Sequence, residues 1–260
     1  MNKQTANFFS KTVGSGEVVL MIHGIMNDHE NFDRIQTILG KEFETIAYNR
    51  RGYGIESDSP FQDYSFKTQA EDAANILKQY TSNPAFIVGD STGGNVAIQM
   101  AILFPLLVKG IFLIETSIPC ENLDLSCLTP WQENVRRIAK TKDFYKIIPL
   151  FAKITETKPV AKKSKLKNIK KSIYNIRNYI FGEMDEVIDF SFSYKEVYNI
   201  HCPIIMGVSL QGKNLPFGIA AKKTADFFGW KTVYLPGHHN TIQEYPYEFC
   251  FHFKEFIKNA

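Results

Sequence analysis

The sequence predicts an α/β fold, a mostly parallel, doubly wound sheet interrupted by a helical insertion, and three observations predict it. Short apolar runs such as Val18-Val19-Leu20-Met21-Ile22 lack polar alternation, the mark of strands buried on both faces of a parallel sheet. Between residues 18 and 114 such runs alternate with helical periodicity, and right-handed crossovers turn that rhythm into a doubly wound sheet. The stretch from Phe86 to Met100 passes from a strand through Gly89-Asp90-Ser91-Thr92-Gly93 into a helix, placing a serine on a sharp strand-to-helix turn.

Taken in order, Phe8 to Val13 predicts an edge strand before the turn at Gly14-Ser15-Gly16. The buried strand Val18 to Ile22 ends in His23-Gly24. Asn27 and Asp28 are candidate N-caps for a helix on which Phe32, Ile35, Ile38 and Leu39 recur at helical spacing up to Gly40. A strand from Phe43 to Tyr48 leads into the glycine-punctuated loop Asn49-Arg50-Arg51-Gly52-Tyr53-Gly54. Residues 67–80 read as a helix through Ala70, Ala73, Ala74 and Leu77. A strand at 85–89, the serine turn, a helix over 92–104 and a strand from Val108 to Ile114, closing on Glu115, follow. In 117–200 the rhythm stops. That segment reads as helical, with Trp131 to Ala139 and Phe144 to Ile154, then lysines at 153, 158, 162, 163, 165, 167, 170 and 171, then an aromatic run from Tyr174 to Tyr198. The rhythm returns with a strand from Pro203 to Val208, a helix over 215–228, a strand from Thr232 to Leu235 and a closing helix from Tyr247 to Ile257. The expected organisation is a core domain of residues 1–116 and 201–260, with 117–200 inserted on the ligand-binding edge as a helical cap or lid.

Composition sets the class. The 260 residues, 44% hydrophobic and 13% aromatic, suffice for one large core. A net charge of +3, concentrated in one segment, does not suggest nucleic-acid binding. Cys120, Cys127, Cys202 and Cys250 form no C-x-x-C pair and have no metal-ligand spacing, so the expectation is reduced thiols, no metal and no organic cofactor. The first residues lack the apolar stretch of a signal peptide, and no apolar run reaches membrane-spanning length, so a cytoplasmic protein without a transmembrane segment is expected.

Ligands of doubly wound sheets bind at the carboxyl ends of the strands, where Ser91, His23-Gly24 and Glu115 all lie. A serine hydroxyl is a poor nucleophile and needs a base, itself oriented by a third group. His239 follows the strand 232–235 and the turn Pro236-Gly237 and is the leading base; His238 is the adjacent alternative. His23 reads as structural, while His29, His201 and His252 fall in helical or capping positions. The acid is less obvious. No carboxylate follows the strand 203–208, where Ser209-Leu210-Gln211-Gly212-Lys213-Asn214 stands. Glu115, ending an apolar strand that would adjoin the serine strand, is favoured, with Glu121 and Asp124 as alternatives. An oxyanion would be met by the backbone N–H groups of Thr92 and Ile25. Asp90 has no assigned role. The lysine cluster reads as a solvated face or as a docking surface for an acidic partner or an anionic group.

With these residues in view, the chain resembles the α/β-hydrolase superfamily over nearly its whole length. The matching features are His23-Gly24, Asn49 to Gly54, Gly89-Asp90-Ser91-Thr92-Gly93-Gly94, and Pro236-Gly237-His238-His239 followed by Pro246. Ile114-Glu115-Thr116 with Pro119, and the segment from Gly207 to Asn214 followed by Leu215-Pro216-Phe217, are similar to a bacterial subgroup that includes lactonases of the zearalenone-cleaving type. The resemblance implies Ser91 as nucleophile, Glu115 as acid and His239 as base, cleaving a carboxylic ester, thioester or lactone, while the aromatic insertion suggests that the substrate is an apolar small molecule. Haloalkane dehalogenases share the acid position but carry Asp where Ser91 stands, so the implied reaction is hydrolysis rather than dehalogenation. Two other expectations are a hydrolase that docks an acidic acyl-carrier protein on its lysine-rich lid, and a non-catalytic ligand-binding protein of the same fold.

Overall fold

The computed structural model describes residues 8–54, 63–156 and 166–260. Its strands are β1 (Ser10–Val13), β2 (Glu17–Ile22), β3 (Phe43–Tyr48), β4 (Ala85–Asp90), β5 (Val108–Ile114), β6 (Ile204–Ser209) and β7 (Lys231–Leu235). Among the described residues they form one seven-stranded sheet in the order β1-β3-β2-β4-β5-β6-β7. β1 runs antiparallel to β3 and every other pairing is parallel. The central strands have apolar residues on both faces because both faces are covered: Phe86, Ile87 and Val88 of β4 are fully buried.

The covering helices follow the periodicity of the sequence. On one face lie α1 (Asp33–Leu39) and α10 (Pro246–Lys258). There Phe112 meets Phe249, Phe253 and Phe256 edge-on, at centroid distances of 5.2–6.1 Å. On the other lie α2 (Phe66–Leu77), α3 (Gly93–Leu103) and α9 (Pro216–Phe228). The helix expected from the caps at 27 and 28 starts as a 3-10 turn, His29–Phe32, because the Asp28 carboxylate accepts from the Glu30 N–H and tightens the first turn.

Among the described residues five α-helices separate β5 from β6: α4 (Thr129–Thr141), α5 (Ile147–Thr155), α6 (Leu166–Asn178), α7 (Met184–Asp189) and α8 (Tyr194–Tyr198). A π-helical turn, Tyr179–Glu183, joins α6 to α7. Trp131, Val135, Ile138, Ile147, Ile176 and Tyr179 form a cluster of their own above the strand ends, closed from below by Ile25. By contrast Ile118, Cys120, Phe192 and Val197, at the two ends of the insertion, pack into the cluster beneath the sheet. Lys158, Lys162, Lys163 and Lys165 lie outside the described residues. His201, expected at a helical or capping position, is in the exposed loop before β6, since the chain is already turning into the sheet at Pro203.

Candidate active site

Ser91 stands between β4 and α3 with φ of +51°, a left-handed conformation that a non-glycine residue adopts only when its surroundings over-determine it. Its N–H donates to the Ile114 carbonyl at 2.8 Å, and its carbonyl accepts from the Thr116 hydroxyl at 2.9 Å. Position 93 has to be glycine, because a Cβ there would overlap the Ile22 carbonyl oxygen. The turn therefore holds the serine at the strand end and the start of α3 behind it.

Glu115 follows β5 directly, is itself left-handed at φ of +43°, and is 3% exposed. His239 comes four residues after the end of β7 and is 6% exposed. Their side chains meet: His239 Nδ1 lies 2.6 Å from Glu115 Oε2. A carboxylate oxygen only accepts, so Nδ1 carries the proton and Nε2 is left able to take one. The other oxygen, Oε1, accepts from the N–H of Ser209 at 2.9 Å and from its hydroxyl. Burial works to raise the Glu115 carboxyl, but the hydrogen bonds and charge of His239 and the Ser209 donors outweigh it and hold the group below the usual carboxylate range. Burial likewise disfavours the imidazolium of His239, yet Glu115, with Asp90 adding its charge, holds the ring above the usual imidazole value. Phe151 and Phe217 flank the imidazole at centroid distances of 5.5 and 5.0 Å.

The loop after β2 closes the other side. His23 is fully buried; its Nδ1–H donates to the Gly24 carbonyl at 2.7 Å and its Nε2 accepts from the Arg50 N–H at 3.0 Å. Burial, then the nearby Arg50 charge, keep it well below the usual imidazole value, so it is a neutral structural group. The Ile25 N–H donates to the Thr92 hydroxyl at 2.9 Å. Both N–H groups of the expected oxyanion site thus belong to residues that touch, with one of them capped by a side chain. Between this loop and the insertion lies a cavity of about 50 Å³, lined by Ser91, Thr92, Ile25, Trp131, Phe151 and Phe217 among others. Ser91 and His239 make no direct hydrogen bond with each other among the described residues. Nucleophile–base contacts are commonly long before substrate binds.

The sequence model described as "alpha/beta hydrolase fold" matches residues 17–205. The chain belongs to the alpha/beta hydrolase fold family. A Mycobacterium tuberculosis relative, the uncharacterized protein Rv2715, is 36% identical over 104 residues, 40% of this chain and 30% of its own length. The 2-(acetamidomethylene)succinate hydrolase of Mesorhizobium japonicum is 33% identical over 113 residues, 43% of this chain and 40% of that enzyme. The Bacillus subtilis hydrolase YraK is 25% identical over 254 residues, covering 94% of this chain and 90% of its own. Matches to the first two relatives therefore span well under half of their length. Among solved structures, Est816, described as an N-acyl homoserine lactone degrading enzyme, superposes with a TM-score of 0.72 at 19% identity, covering 98% of both chains. The esterase EaEST of Exiguobacterium antarcticum gives 0.76 at 16% identity, covering 97% of this chain and 96% of its own. At such identities the likeness is one of fold.

Within this hydrolase fold the other carboxylates considered from sequence stand elsewhere. Asp124 pairs with Lys223 at 2.7 Å on the surface, and Glu121 accepts from the Tyr194 N–H. His238 turns its Nδ1 toward Glu244, 3.7 Å away, rather than toward Glu115. His29 is buried against Phe9 and bonded to Asn49. Sequence reasoning missed two groups. Ser209 is one; only the β5–β6 register, which sets Ile114 beside Gly207, reveals that it meets Glu115. Asp90 is the other, 6% exposed and accepting from Asn31 Nδ2 at 2.8 Å, an acceptor buried behind the serine. Burial pushes its carboxyl up to about 6 against the His239 charge and the Asn31 hydrogen bond.

Proposed function

We propose that this member of the alpha/beta hydrolase fold family is a serine hydrolase that cleaves a carboxylic ester, thioester or lactone of an apolar small molecule through an acyl-enzyme. The observation that carries the reading is the Glu115–His239 pair at 2.6 Å, set at the same strand edge as the left-handed Ser91. Ser91 Oγ attacks the acyl carbonyl while His239 Nε2 takes its proton, and Glu115 fixes the Nδ1–H tautomer and stabilises the imidazolium. The N–H groups of Thr92 and Ile25 receive the oxyanion once the Thr92 hydroxyl turns away from Ile25. His239 then returns the proton to the leaving group, and a water activated by the same nitrogen releases the acid.

The substrate class rests on the cavity. Ile25, Leu128, Trp131, Phe151, Val187 and Phe217 give it apolar walls, against which an acyl chain or lactone ring loses little. An acyl group too large for this cavity of about 50 Å³ would require α4 and α5 to move outward as a lid. The basic stretch gives less support to carrier docking, since Lys171 is held by Asp28 and Glu30 at 3.0 and 2.6 Å.

Turnover of p-nitrophenyl esters of increasing acyl length, alongside Ser91→Ala, tests the reading. Hydrolysis that falls at least about a thousandfold in the alanine variant, with an unchanged melting temperature, is expected. Equal turnover by the two purified proteins would contradict it, and a folded wild type inert toward every ester, thioester and lactone would favour a ligand-binding role.

A further inference from the structure

The end of β6 is where the sequence offers a serine rather than a carboxylate, and the structure shows what that serine faces. Ser209 is fully buried, and its side chain points at Glu115 rather than at the cavity. Its hydroxyl and its own N–H converge on one atom, Glu115 Oε1, while Oε2 is left to His239. The space around the contact is filled to the limit. A Cβ at Gly212 would overlap Ser209 Oγ and lie 3.3 Å from Glu115 Oε1, so glycine at 212 leaves room for the pair. A carboxylate at 209 would instead confront Glu115 with a like charge in a buried site.

We infer that Ser209 is a positioning residue for the Glu115–His239 pair, directing two donors to one carboxylate oxygen so that the other is presented to the imidazole. The backbone N–H fixes where Oε1 sits. The hydroxyl adds a donor dipole whose positive end faces the carboxylate, and so takes up part of a charge that would otherwise fall on the imidazole alone. The consequence for the base has a definite sign. With the hydroxyl removed, the carboxylate is less stabilised elsewhere, the imidazolium beside it becomes more favourable, and His239 holds its proton to higher pH. Asp90, the other charged group acting on His239 and itself pushed up to about 6, is present in every protein compared, so its own titration is common to all of them.

This inference rests on the hydrolase reading for its catalytic meaning, but its test does not need turnover. The test is an NMR titration of His239, its resonance assigned by loss in His239→Gln, in the wild type, Ser209→Cys and Ser209→Ala. Cysteine is close to serine in size and is a weaker donor, so it keeps the comparison readable if the alanine variant does not fold. The midpoint is expected to rise by about half a unit to one unit in Ser209→Ala and by less in Ser209→Cys. In parallel, the acid limb of kcat/KM for p-nitrophenyl acetate should move to correspondingly higher pH. A midpoint that stays put or falls in both variants overturns the assignment. A wild type that titrates as expected yet hydrolyses nothing overturns the hydrolase reading instead.

Discussion

Ser91, Glu115 and His239 are separated in sequence yet placed by one rule: each follows the carboxyl end of a parallel strand. The local backbone then makes each side chain usable, since the left-handed turns at Ser91 and Glu115 take both residues out of their strands. In the proposed reaction Nδ1–H is committed to Glu115, so the hydrolytic step needs Nε2 unprotonated. Activity should therefore be full above the raised His239 value and be lost as pH falls through it. Glu115→Gln removes the charge that raises it. In that variant the acid limb of kcat/KM should move to lower pH, and kcat should fall by about 10²- to 10⁴-fold because the imidazole loses its fixed tautomer. A pH–rate profile of the two proteins checks both effects. The strand-end placement of Ser91, Glu115 and His239 was legible in the sequence because strand ends announce themselves through apolar runs and glycine turns. Ser209 and Asp90 were not, because their partners lie across the register of β5 with β6 and on the Asn31 loop, which no local pattern encodes.

At the scale of elements, the insertion has a fixed half. Glu183, at the end of the π-helical turn, is fully buried and takes the Arg50 guanidinium on both carboxylate oxygens. The same carboxylate accepts from the Tyr53 hydroxyl and, at 2.9 Å, from Gln69 Nε2. Arg50 and Tyr53 belong to the loop after β3 and Gln69 to α2, so this network fastens the α6–α7 junction to the core. Asn175 adds to it, accepting from the Gly54 N–H at 2.9 Å and donating to the Asn27 carbonyl at 3.2 Å. Removing one member of a buried ion pair strands the other's charge. Glu183→Ala should then cost about 3–5 kcal/mol of stability, measurable as a lowered midpoint in urea unfolding. A loss under about 1 kcal/mol would mean that Arg50 finds water or another partner. The glycine-rich 49–54 loop and the helical character of 117–200 were both visible in the sequence. Their connection was not, because an isolated glutamate among lysines and aromatics carries no mark of burial, and a π turn arises where tertiary contacts override helical propensity.

For the whole molecule, the doubly wound sheet explains why so much was readable. Strand order β1-β3-β2-β4-β5-β6-β7 puts β4 at the centre, with β2 on one side and β5 on the other. The loop after β2, the serine turn after β4 and Glu115 after β5 consequently share one edge. No described helix is long and apolar enough to cross a membrane. Substrate identity was the least legible property, since the apolar walls of the cavity accept many acyl groups alike. The proposed reaction requires Ser91 to be an activated nucleophile. Its most direct test is the intact mass of the protein after exposure to a fluorophosphonate, beside Ser91→Ala and His239→Ala. A single phosphonyl adduct on the wild type, absent from the serine variant and lost or greatly slowed in the histidine variant, is the predicted result. An unmodified wild type that remains folded, or an adduct that persists in Ser91→Ala, would contradict it.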